Sequence, residues 1–232
     1  MIKQLIAVAA VAAAAVPAQA VTVVQGNFNS VSADNNVGTG STLASTGAGT
    51  ASLLGTTATF ATGSPNDLAA DDSAWNLTSF PSATVGNKTE GAQFAVSTVG
   101  FADVVVTFDL RHSGTSSRYE QFQYTLDGVN YVDFALFSNT VTDSWNTRSV
   151  DLSAIAGADN NANFAFRVVS AFAPGTSAYQ ATGTGSYATT GTWRFDGVTV
   201  TAVTAVPEPG TYAMLLAGLA SLGFIARRRR GA

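Results

Sequence analysis

The chain has 232 residues, a formal net charge of −4 and no cysteine, which excludes a disulfide framework and thiol chemistry. The segment between the two ends is more acidic than this net charge indicates, because the four arginines at 227–230 add positive charge to the total. This acidity argues against nucleic acid as a partner and against plain electrostatic adhesion to anionic lipid or acidic polysaccharide, whereas neutral glycans and cation-bridged contacts are compatible with it.

The N-terminal segment has the pattern of a secretory signal peptide. Lys3 gives it a positive start, an apolar, alanine-rich stretch follows over 5–16, and Ala18-Gln19-Ala20 forms a small-residue cleavage site. These small residues favour removal by signal peptidase over an uncleaved anchor. We therefore expect residues 1–20 to form a signal-peptide helix used by the Sec export machinery, and the mature chain to begin near Val21.

Residues 21–90 are predicted to form a loop-rich beginning of the exported domain. The segment from about Asn29 to Lys88 is rich in Gly, Ser, Thr, Ala and Asn, and residues 41–50 have low complexity. Such a composition buries little apolar surface. The best candidates for strands or anchors in this part are Val21–Val24, Ala58–Ala61 and Ala74–Leu77.

From Gln93 onward, β-branched and aromatic runs separated by turn residues predict consecutive β-strands. The predicted strands are 93–98, 104–111, 119–126, 131–137, 145–152, 164–172 and 192–203. In 119–126 one face carries Phe122, Tyr124 and Leu126, with Glu120 at its start. Asp127-Gly128 predicts a two-residue type I′ hairpin, since that turn needs positive φ at both central positions.

These elements predict an all-β protein. No long helical period appears between the end segments, and short strands with turns about every ten residues are typical of a β-sandwich or jelly roll. Along 164–172 the apolar residues fall mostly on one face, so Arg167 is predicted to point outward. We therefore expect a single sandwich domain over 21–205, flanked by the signal-peptide helix and a C-terminal transmembrane helix.

Four segments of the predicted sandwich carry a family resemblance, namely Gln123–Tyr131, Trp145–Leu152, Phe166–Val168 and Trp193–Val200. Their order is similar to that of the strands in secreted galactose-binding-like jelly rolls. In those folds a closing strand with an Asp-Gly turn, here Asp196-Gly197, commonly ends the domain. The resemblance implies a fold rather than a ligand, because this architecture hosts many functions.

Candidates for catalysis are few. His112, the only histidine, ends a predicted strand, and no Gly-x-Ser-x-Gly motif supplies a nucleophilic serine. The sequence also lacks the clustered ligands that zinc needs. Glu90, Glu120 and scattered aspartates offer carboxylate pairs for glycoside hydrolysis, but an acidic sandwich contains such pairs by chance. We therefore predict that the protein is not an enzyme.

An acidic loop offers oxygen ligands for a hard cation. Asp67, Asp71 and Asp72 lie beside Asn66 and Ser73 in the sequence. Jelly rolls of the kind that this chain resembles often hold a structural calcium, which makes this loop a candidate site. The alternative is a solvated turn in which Asx side chains cap their own backbone. We therefore expect either no cofactor or one structural calcium.

Aromatic residues are the candidates for glycan contact, because a flat ring stacks on the apolar face of a sugar. Tyr179 and Tyr187 lie in a Gly-, Thr- and Ser-rich stretch over 174–191, and long loops with exposed aromatics tend to be functional. Trp75 is a third candidate. Two other tryptophans lie at strand positions and are predicted core residues, Trp145 and Trp193.

The C-terminus combines a stiff polar segment, an apolar run and a basic end. Pro207-Glu208-Pro209 resists helix formation and stays extended. The apolar run makes 210–226 a predicted transmembrane helix near the short limit for a span. Cytoplasmic loops are rich in arginine, so a membrane stop is predicted at Arg227, Arg228, Arg229 and Arg230. These residues alone fit a simple anchor as well as a segment gripped by a processing enzyme.

Taken in this order, residues 206–232 resemble the PEP-CTERM sorting signal. The resemblance implies recognition by an exosortase, a membrane protease or transpeptidase of Gram-negative bacteria that is associated with exopolysaccharide and biofilm production. It makes Pro207, Glu208 and Pro209 the recognition motif, with Glu208 as a substrate residue rather than a catalytic one.

The sequence therefore predicts an exported protein. We expect it to be anchored in the inner membrane with its domain in the periplasm, and to reach the outer surface or the extracellular space after processing. Its expected role is structural or adhesive, in exopolysaccharide or biofilm. The alternative is a carbohydrate-binding module for the cell's own exopolysaccharide, and the third hypothesis is a polysaccharide-active enzyme. The expected partners are exosortase, signal peptidase, the Sec machinery and exopolysaccharide, without nucleic acid.

Overall fold

Two antiparallel sheets form a sandwich in the computed structural model, which describes residues 19–67, 72–205 and 216–220. The described residues within 20–204 form twelve strands and one short 3-10 helix, Ala156–Ala158. The strands are β1 Ala20–Gly26, β2 Thr46–Gly47, β3 Gly49–Leu54, β4 Thr57–Thr62, β5 Ser73–Thr78, β6 Gly91–Val96, β7 Phe101–His112, β8 Tyr119–Thr125, β9 Val132–Ser138, β10 Trp145–Asp151, β11 Ala165–Ala171 and β12 Trp193–Thr204. The predicted all-β sandwich is confirmed.

The strands divide between a larger sheet A and a smaller sheet B. Sheet A runs β10-β7-β12-β1-β2, with β5 beside β12 and β4 beside β5. The long strand β12 pairs with β7 along one side, and with β5 and then β1 along the other. Sheet B runs β3-β6-β11-β8-β9. Strands close in sequence therefore often lie in different sheets, so the core forms between the sheets from distant parts of the chain.

Alternation along the strands places phenylalanine rings between the two sheets. In sheet B, Phe166 lies between Phe94 and Phe122, with ring centroids 5.0 and 5.4 Å apart. From sheet A, Phe108 and Phe195 meet this group, and all five rings are buried. Burial of each ring contributes roughly 1.5–3 kcal/mol, so this cluster is the main source of stability for a chain without disulfides.

The turn at Asp127-Gly128 differs from the predicted type I′ hairpin. The loop between β8 and β9 covers 126–131, and Gly128 has a φ of 78° whereas Asp127 does not have positive φ. Asp127 instead accepts hydrogen bonds from the side chain and backbone of Asn130 and from the backbone of Val129, which hold its pKa well below the usual range. Leu126, predicted to share a strand face with Phe122 and Tyr124, lies in this loop and is 37% exposed.

Strands β2 and β3 lie in the segment for which the sequence predicted little pairing. They consist of small residues apart from the two leucines that end β3, and they are held by β1 and β6 respectively. Gly47 shows why a small residue is needed there. Its φ is 70°, and an added Cβ would lie 1.9 Å from the carbonyl oxygen of Val23. The low-complexity composition therefore reflects close approach of backbones rather than an absence of structure.

The two ends of the sandwich domain meet in sheet A, where Ala20 pairs with Val203. The predicted cleavage after Ala20 would leave Val21 paired with Ala202. Ala18 and the rest of 1–18 lie outside the described residues, as do 206–215 and 221–232 with the sorting motif and the arginine tail. Of the predicted transmembrane helix 210–226, only 216–220 is described, and it is helical and exposed. Among the described residues, no helix combines the length and apolar character required to span a membrane.

Candidate functional site

A break in strand β12 places a buried carboxylate beside the loop that follows β4. The register of β12 with β7 shifts between Asp196 and Thr199, where Gly197 has a φ of 53°. Asp196 is fully buried there. One carboxylate oxygen from each of Asp67, Asp72 and Asp196 lies within 4.8 Å of the other two. We call these three residues the carboxylate cluster.

Hydrogen bonds fix Asp196 but leave part of Asp72 without a partner. Asp196 accepts the backbone N–H of Ser64 at 2.6 Å and that of Gly197 at 2.7 Å. Oδ1 of Asp72 is buried and accepts no hydrogen bond from the described residues. A buried oxygen of this kind costs free energy unless a proton or a cation satisfies it. The cluster therefore has an unmet need for positive charge.

A fourth carboxylate, Asp109, supports the loop that follows β4 and does not add to the need of the cluster for positive charge. Asp109 is the cross-strand neighbour of Asp196. Thr147 donates to its Oδ1 at 2.6 Å, and Asn66 and the hydroxyl of Ser64 donate to its Oδ2. Because both oxygens are satisfied, Asp109 anchors the loop against sheet A. Beside it lies a cleft of about 270 Å³ that Asp67 and Asp196 also line.

The electrostatics of the cluster suit a divalent cation with oxygen ligands. Burial raises the pKa of Asp196 to about 8. Burial, and then the charge of Asp67, raise the pKa of Asp72 to about 6. Among the described residues, no lysine or arginine forms an ion pair with Asp72 or Asp196. Carboxylate oxygens are the ligands that Ca²⁺ prefers, so the donor set fits calcium.

The predicted calcium ligands are partly brought together. Asp67 and Asp72 join the cluster, whereas Asp71 lies outside the described residues. Asn66 and Ser73 have other partners: Asn66 donates to Asp109, and the backbone of Ser73 donates to Asn29. Asp196 was not predicted as a ligand, because the only local signal in the sequence is the Asp-Gly pair in the closing strand, which indicates a turn.

The outer surface of sheet B carries a row of polar side chains that crosses its five strands. Strand register aligns them from β3 to β9 in the order Ser52, Gln93, Arg167, Gln123 and Asp133. Gln123 accepts a hydrogen bond from Nε of Arg167 and donates to Asp133 at 2.6 Å. Lys88 forms an ion pair with Asp133. Arg167 points outward, as predicted.

A groove of about 600 Å³ runs beside this polar row. Its floor is made of small residues paired across three strands, Thr50, Ala95 and Ala165. Tyr131 forms part of the wall, and Gln93 and Asn163 add amide groups. The hydroxyl of Tyr131 is buried and has no hydrogen-bond partner among the described residues. The groove thus combines a floor of small residues, the ring of Tyr131, the buried Phe164 in the lining, and a few polar groups, as small-molecule sites do.

The three predicted glycan-contact residues are not in this groove. Trp75 is 4% exposed and stacks on Phe28 in the core, and Tyr179 is 6% exposed. The hydroxyl of Tyr179 donates to the carbonyl of Gly86, and that of Tyr187 donates to the carbonyl of Pro81, each at 2.7 Å. The prediction of an exposed platform is wrong for Trp75 and Tyr179. Both tyrosines fasten the 174–191 loop to the segment before β6.

Other sequence candidates also lie in the core. Trp193 is fully buried as predicted, whereas Trp145 is only half-buried. His112 is fully buried, and its ring stacks on Trp193 with centroids 5.0 Å apart. Burial and the charge of Arg148 lower the pKa of His112 to about 3, so it is neutral at neutral pH. Its Nε2 lies 3.6 Å from Oε2 of the buried Glu120. This arrangement belongs to the packing between the sheets.

The C-terminus matches a known sorting motif. Residues 205–230 match the family model of the PEP-CTERM protein-sorting motif, which confirms the resemblance drawn from the residues. The chain therefore carries the signal of an exported protein that an exosortase processes. No match was found among curated proteins.

Several solved structures are similar in fold. One is the tandem pair of CBM22 modules of Paenibacillus barcinonensis Xyn10C, with 12% identity over 85% of this chain and 50% of that chain and a TM-score of 0.47. Another contains the CBM22-1 and GH10 modules of Clostridium thermocellum Xyn10B, with 17% identity over 68% of this chain and 27% of that chain and a TM-score of 0.42. A third is a CBM29-2 carbohydrate-binding module, with 10% identity over 83% of this chain and 99% of that chain and a TM-score of 0.40. The chain thus spans a quarter to a half of the length of the first two. These likenesses leave the ligand of this chain open.

Proposed function

We propose that residues 20–204 form an exported polysaccharide-binding domain with an adhesive role in the extracellular matrix. The sorting motif supports export and exosortase processing. The observation that carries the binding proposal is the groove on sheet B, with its small-residue floor and the ring of Tyr131. A sugar chain presents flat apolar faces and hydroxyl edges, which an aromatic ring and amide groups complement. The proposed ligand is the cell's own exopolysaccharide.

The proposal is a binding role without catalysis. It is supported by the location of His112 and Glu120, which lie buried between the sheets and away from the groove lining. A general acid or base must reach the reacting atoms of its substrate. The polar row offers Asp133 as its carboxylate, and that group is already bound by Lys88 and Gln123.

Replacing Tyr131 by alanine is expected to weaken polysaccharide binding about tenfold or more, because a buried ring contributes roughly 1.5–3 kcal/mol. Affinity electrophoresis of the full chain in mild detergent, against exopolysaccharide purified from the producing cells, measures the change. Tyr119→Ala is the matched control, since Tyr119 lies on β8 outside the groove. Failure of the native protein to bind, or equal binding by both variants, would contradict the proposed site.

We also propose that the carboxylate cluster holds a structural Ca²⁺. Asp67, Asp72 and Asp196 would be its carboxylate ligands. The ion would supply the positive charge that the buried oxygens lack, and it would tie the loop before β5 to the closing strand β12. The role is structural, because the cluster and the groove lie on different sheets.

Changing Pro207, Glu208 and Pro209 together to alanine is expected to stop exosortase processing. The native protein should leave the inner membrane without its signal peptide and its C-terminal tail, whereas the variant should keep the tail and stay in that membrane. Intact mass and membrane fractionation measure both outcomes. A variant that is trimmed and released like the native protein would show that these residues are not the recognition motif. A native protein that keeps its tail would reduce the segment to an anchor.

A further inference from the structure

Arg167 is held in one orientation at the centre of the polar row. It lies on β11, the middle strand of sheet B, and is half-buried. Its Cζ lies 4.1 Å from the centroid of the Tyr131 ring, and its Nε donates to Gln123. Tyr131 lines the groove, and the neighbour of Arg167 on β6, Gln93, does so too. The guanidinium is therefore fixed at the edge of the groove.

No carboxylate of the described domain forms an ion pair with Arg167. Burial lowers the pKa of Arg167, and the charge of Asp133 opposes this shift only from a distance. The terminal Nη atoms of Arg167 form no ion pair and donate no hydrogen bond to a described residue. The carboxylate next along the row, Asp133, is taken by Lys88 and by the amide of Gln123. Three other basic side chains of the domain do have carboxylate partners, namely Lys88, Arg111 and Arg148.

We propose that Arg167 binds a carboxylate of the polysaccharide, so that the ligand is an acidic glycan containing uronic acid or a similarly carboxylated sugar. This inference rests on the proposed glycan site. The guanidinium fork matches a carboxylate with two parallel hydrogen bonds. Because Tyr131 and Gln123 already hold the side chain, little rotamer freedom is lost when the ligand binds.

The acidic character of the domain is compatible with this ligand and sharpens its selection. Net negative charge disfavours loose adhesion of any polyanion. A single oriented arginine then favours an acidic sugar only where the sugar ring also fits the groove. Specificity thus comes from one attractive contact against a background of general repulsion. Asp133 does not repel the ligand strongly, because Lys88 neutralises it.

Matched oligosaccharides test the inference on the full chain in mild detergent. The probes are oligomers of galacturonate, mannuronate and glucuronate, each compared with its carboxyl-reduced, neutral counterpart. Native protein is expected to bind at least one acidic oligomer about tenfold more tightly than its reduced form, in line with a charge-assisted bidentate contact. Arg167→Gln should abolish that preference, and Arg167→Lys should restore only part of it, because an ammonium lacks the fork.

Control variants separate this inference from the proposed function. Arg194→Gln, on β12 in sheet A, should keep the preference, whereas Tyr131→Ala should weaken binding of the reduced oligomers as well as the acidic ones. Equal binding of both forms by native protein, or a preference that survives Arg167→Gln, would overturn the acidic ligand and leave the glycan site standing. If no oligomer of either kind binds, both proposals are contradicted. Unchanged thermal unfolding of the Arg167 variants confirms that they are folded.

Discussion

Glu120→Ala is expected to lower the free energy of unfolding by about 3–5 kcal/mol, because it leaves a buried cation without its partner. Glu120 on β8 is fully buried, and its Oε1 accepts a hydrogen bond from Nε of Arg148 on β10 at 2.8 Å. The same oxygen lies 2.7 Å from Nη2 of Arg148 in an ion pair. This ion pair joins sheet B to sheet A. The side chain of Arg148 is 15% exposed, so water cannot readily replace the lost carboxylate. Chemical denaturation measures the loss.

A double-mutant cycle distinguishes the lost ion pair from simple loss of packing. Glu120→Ala with Arg148→Ala removes both charges, so the combined effect should be smaller than the sum by at least about 1 kcal/mol. Additive effects would show that the two side chains act independently. A loss below about 1 kcal/mol for Glu120→Ala alone is typical of an exposed ion pair and would contradict the buried one described above.

The pH dependence of stability gives a second, signed test. Burial raises the pKa of Glu120 from 4.5 to about 7, although Arg148 opposes the shift. A carboxyl with a higher pKa in the folded chain takes up a proton on folding, so its contribution falls as pH rises through 4.5 to 7. Glu120→Gln removes this titration. The stability difference between native protein and Glu120→Gln should therefore decline over that range.

His112 acts in the opposite direction. Its pKa falls from 6.5 to about 3 in the folded chain, so the unfolded chain binds the proton first and stability falls as pH drops below 6.5. Between 4.5 and 6.5 the two groups oppose each other in the native protein. Glu120→Gln should consequently uncover a steeper loss of stability on acidification. A variant with the same pH profile as the native protein would contradict this account.

Strands were predictable wherever large side chains alternate. Phe122 and Phe166 fall on one face of their runs, and the structure buries both between the sheets. Strands β2 and β3 were missed because they are defined by pairing with β1 and β6 rather than by large side chains of their own. The hairpin at Asp127 was predicted with the wrong turn, since the side chain of Asp127 organises a longer loop through its own hydrogen bonds.

Site residues were harder to predict, because alternation does not say which face is covered. Trp75 and Tyr179 were predicted to contact a glycan because they are aromatic, but neighbouring elements bury both side chains. The sequence predicts Tyr131 as the first residue of a strand, and only the three-dimensional path of the β8–β9 loop brings its ring over Arg167. Asp67 and Asp72 were visible as a local acidic group. Asp196 joins them only because sheet A sets the closing strand beside that loop.

Calcium is expected to stabilise the domain substantially. After removal of divalent ions with EGTA, Ca²⁺ at about 100 times its dissociation constant should add about 2.7 kcal/mol, since it binds only the folded cluster. For a domain of this size, that corresponds to a rise in melting temperature of roughly 5–10 °C. Asp196→Asn should abolish the rise. Asp103→Asn, an exposed residue at positive φ that suits asparagine, should retain it.

The same variants respond to pH in a direction set by competition between protons and calcium. In the cation-free cluster the pKa values of Asp72 and Asp196 are raised to about 6 and about 8, so protons occupy these groups at low pH. Calcium needs the ionised carboxylates, and the gain in melting temperature should therefore be larger at pH 8 than at pH 5.5. Without calcium at pH 8, Asp196→Asn should cost little, because it relieves repulsion among like charges.

Magnesium separates a built site from general charge screening. Mg²⁺ demands near-ideal octahedral geometry and keeps its water, whereas Ca²⁺ adapts to irregular clusters of carboxylates. A cluster assembled from a loop and a strand break should thus favour Ca²⁺, and Mg²⁺ at the same concentration should raise the melting temperature much less. An equal response to both ions, or a calcium response that survives Asp196→Asn, would mean that the cluster only attracts counterions. In that case a proton, rather than a bound cation, would satisfy the buried Oδ1 of Asp72.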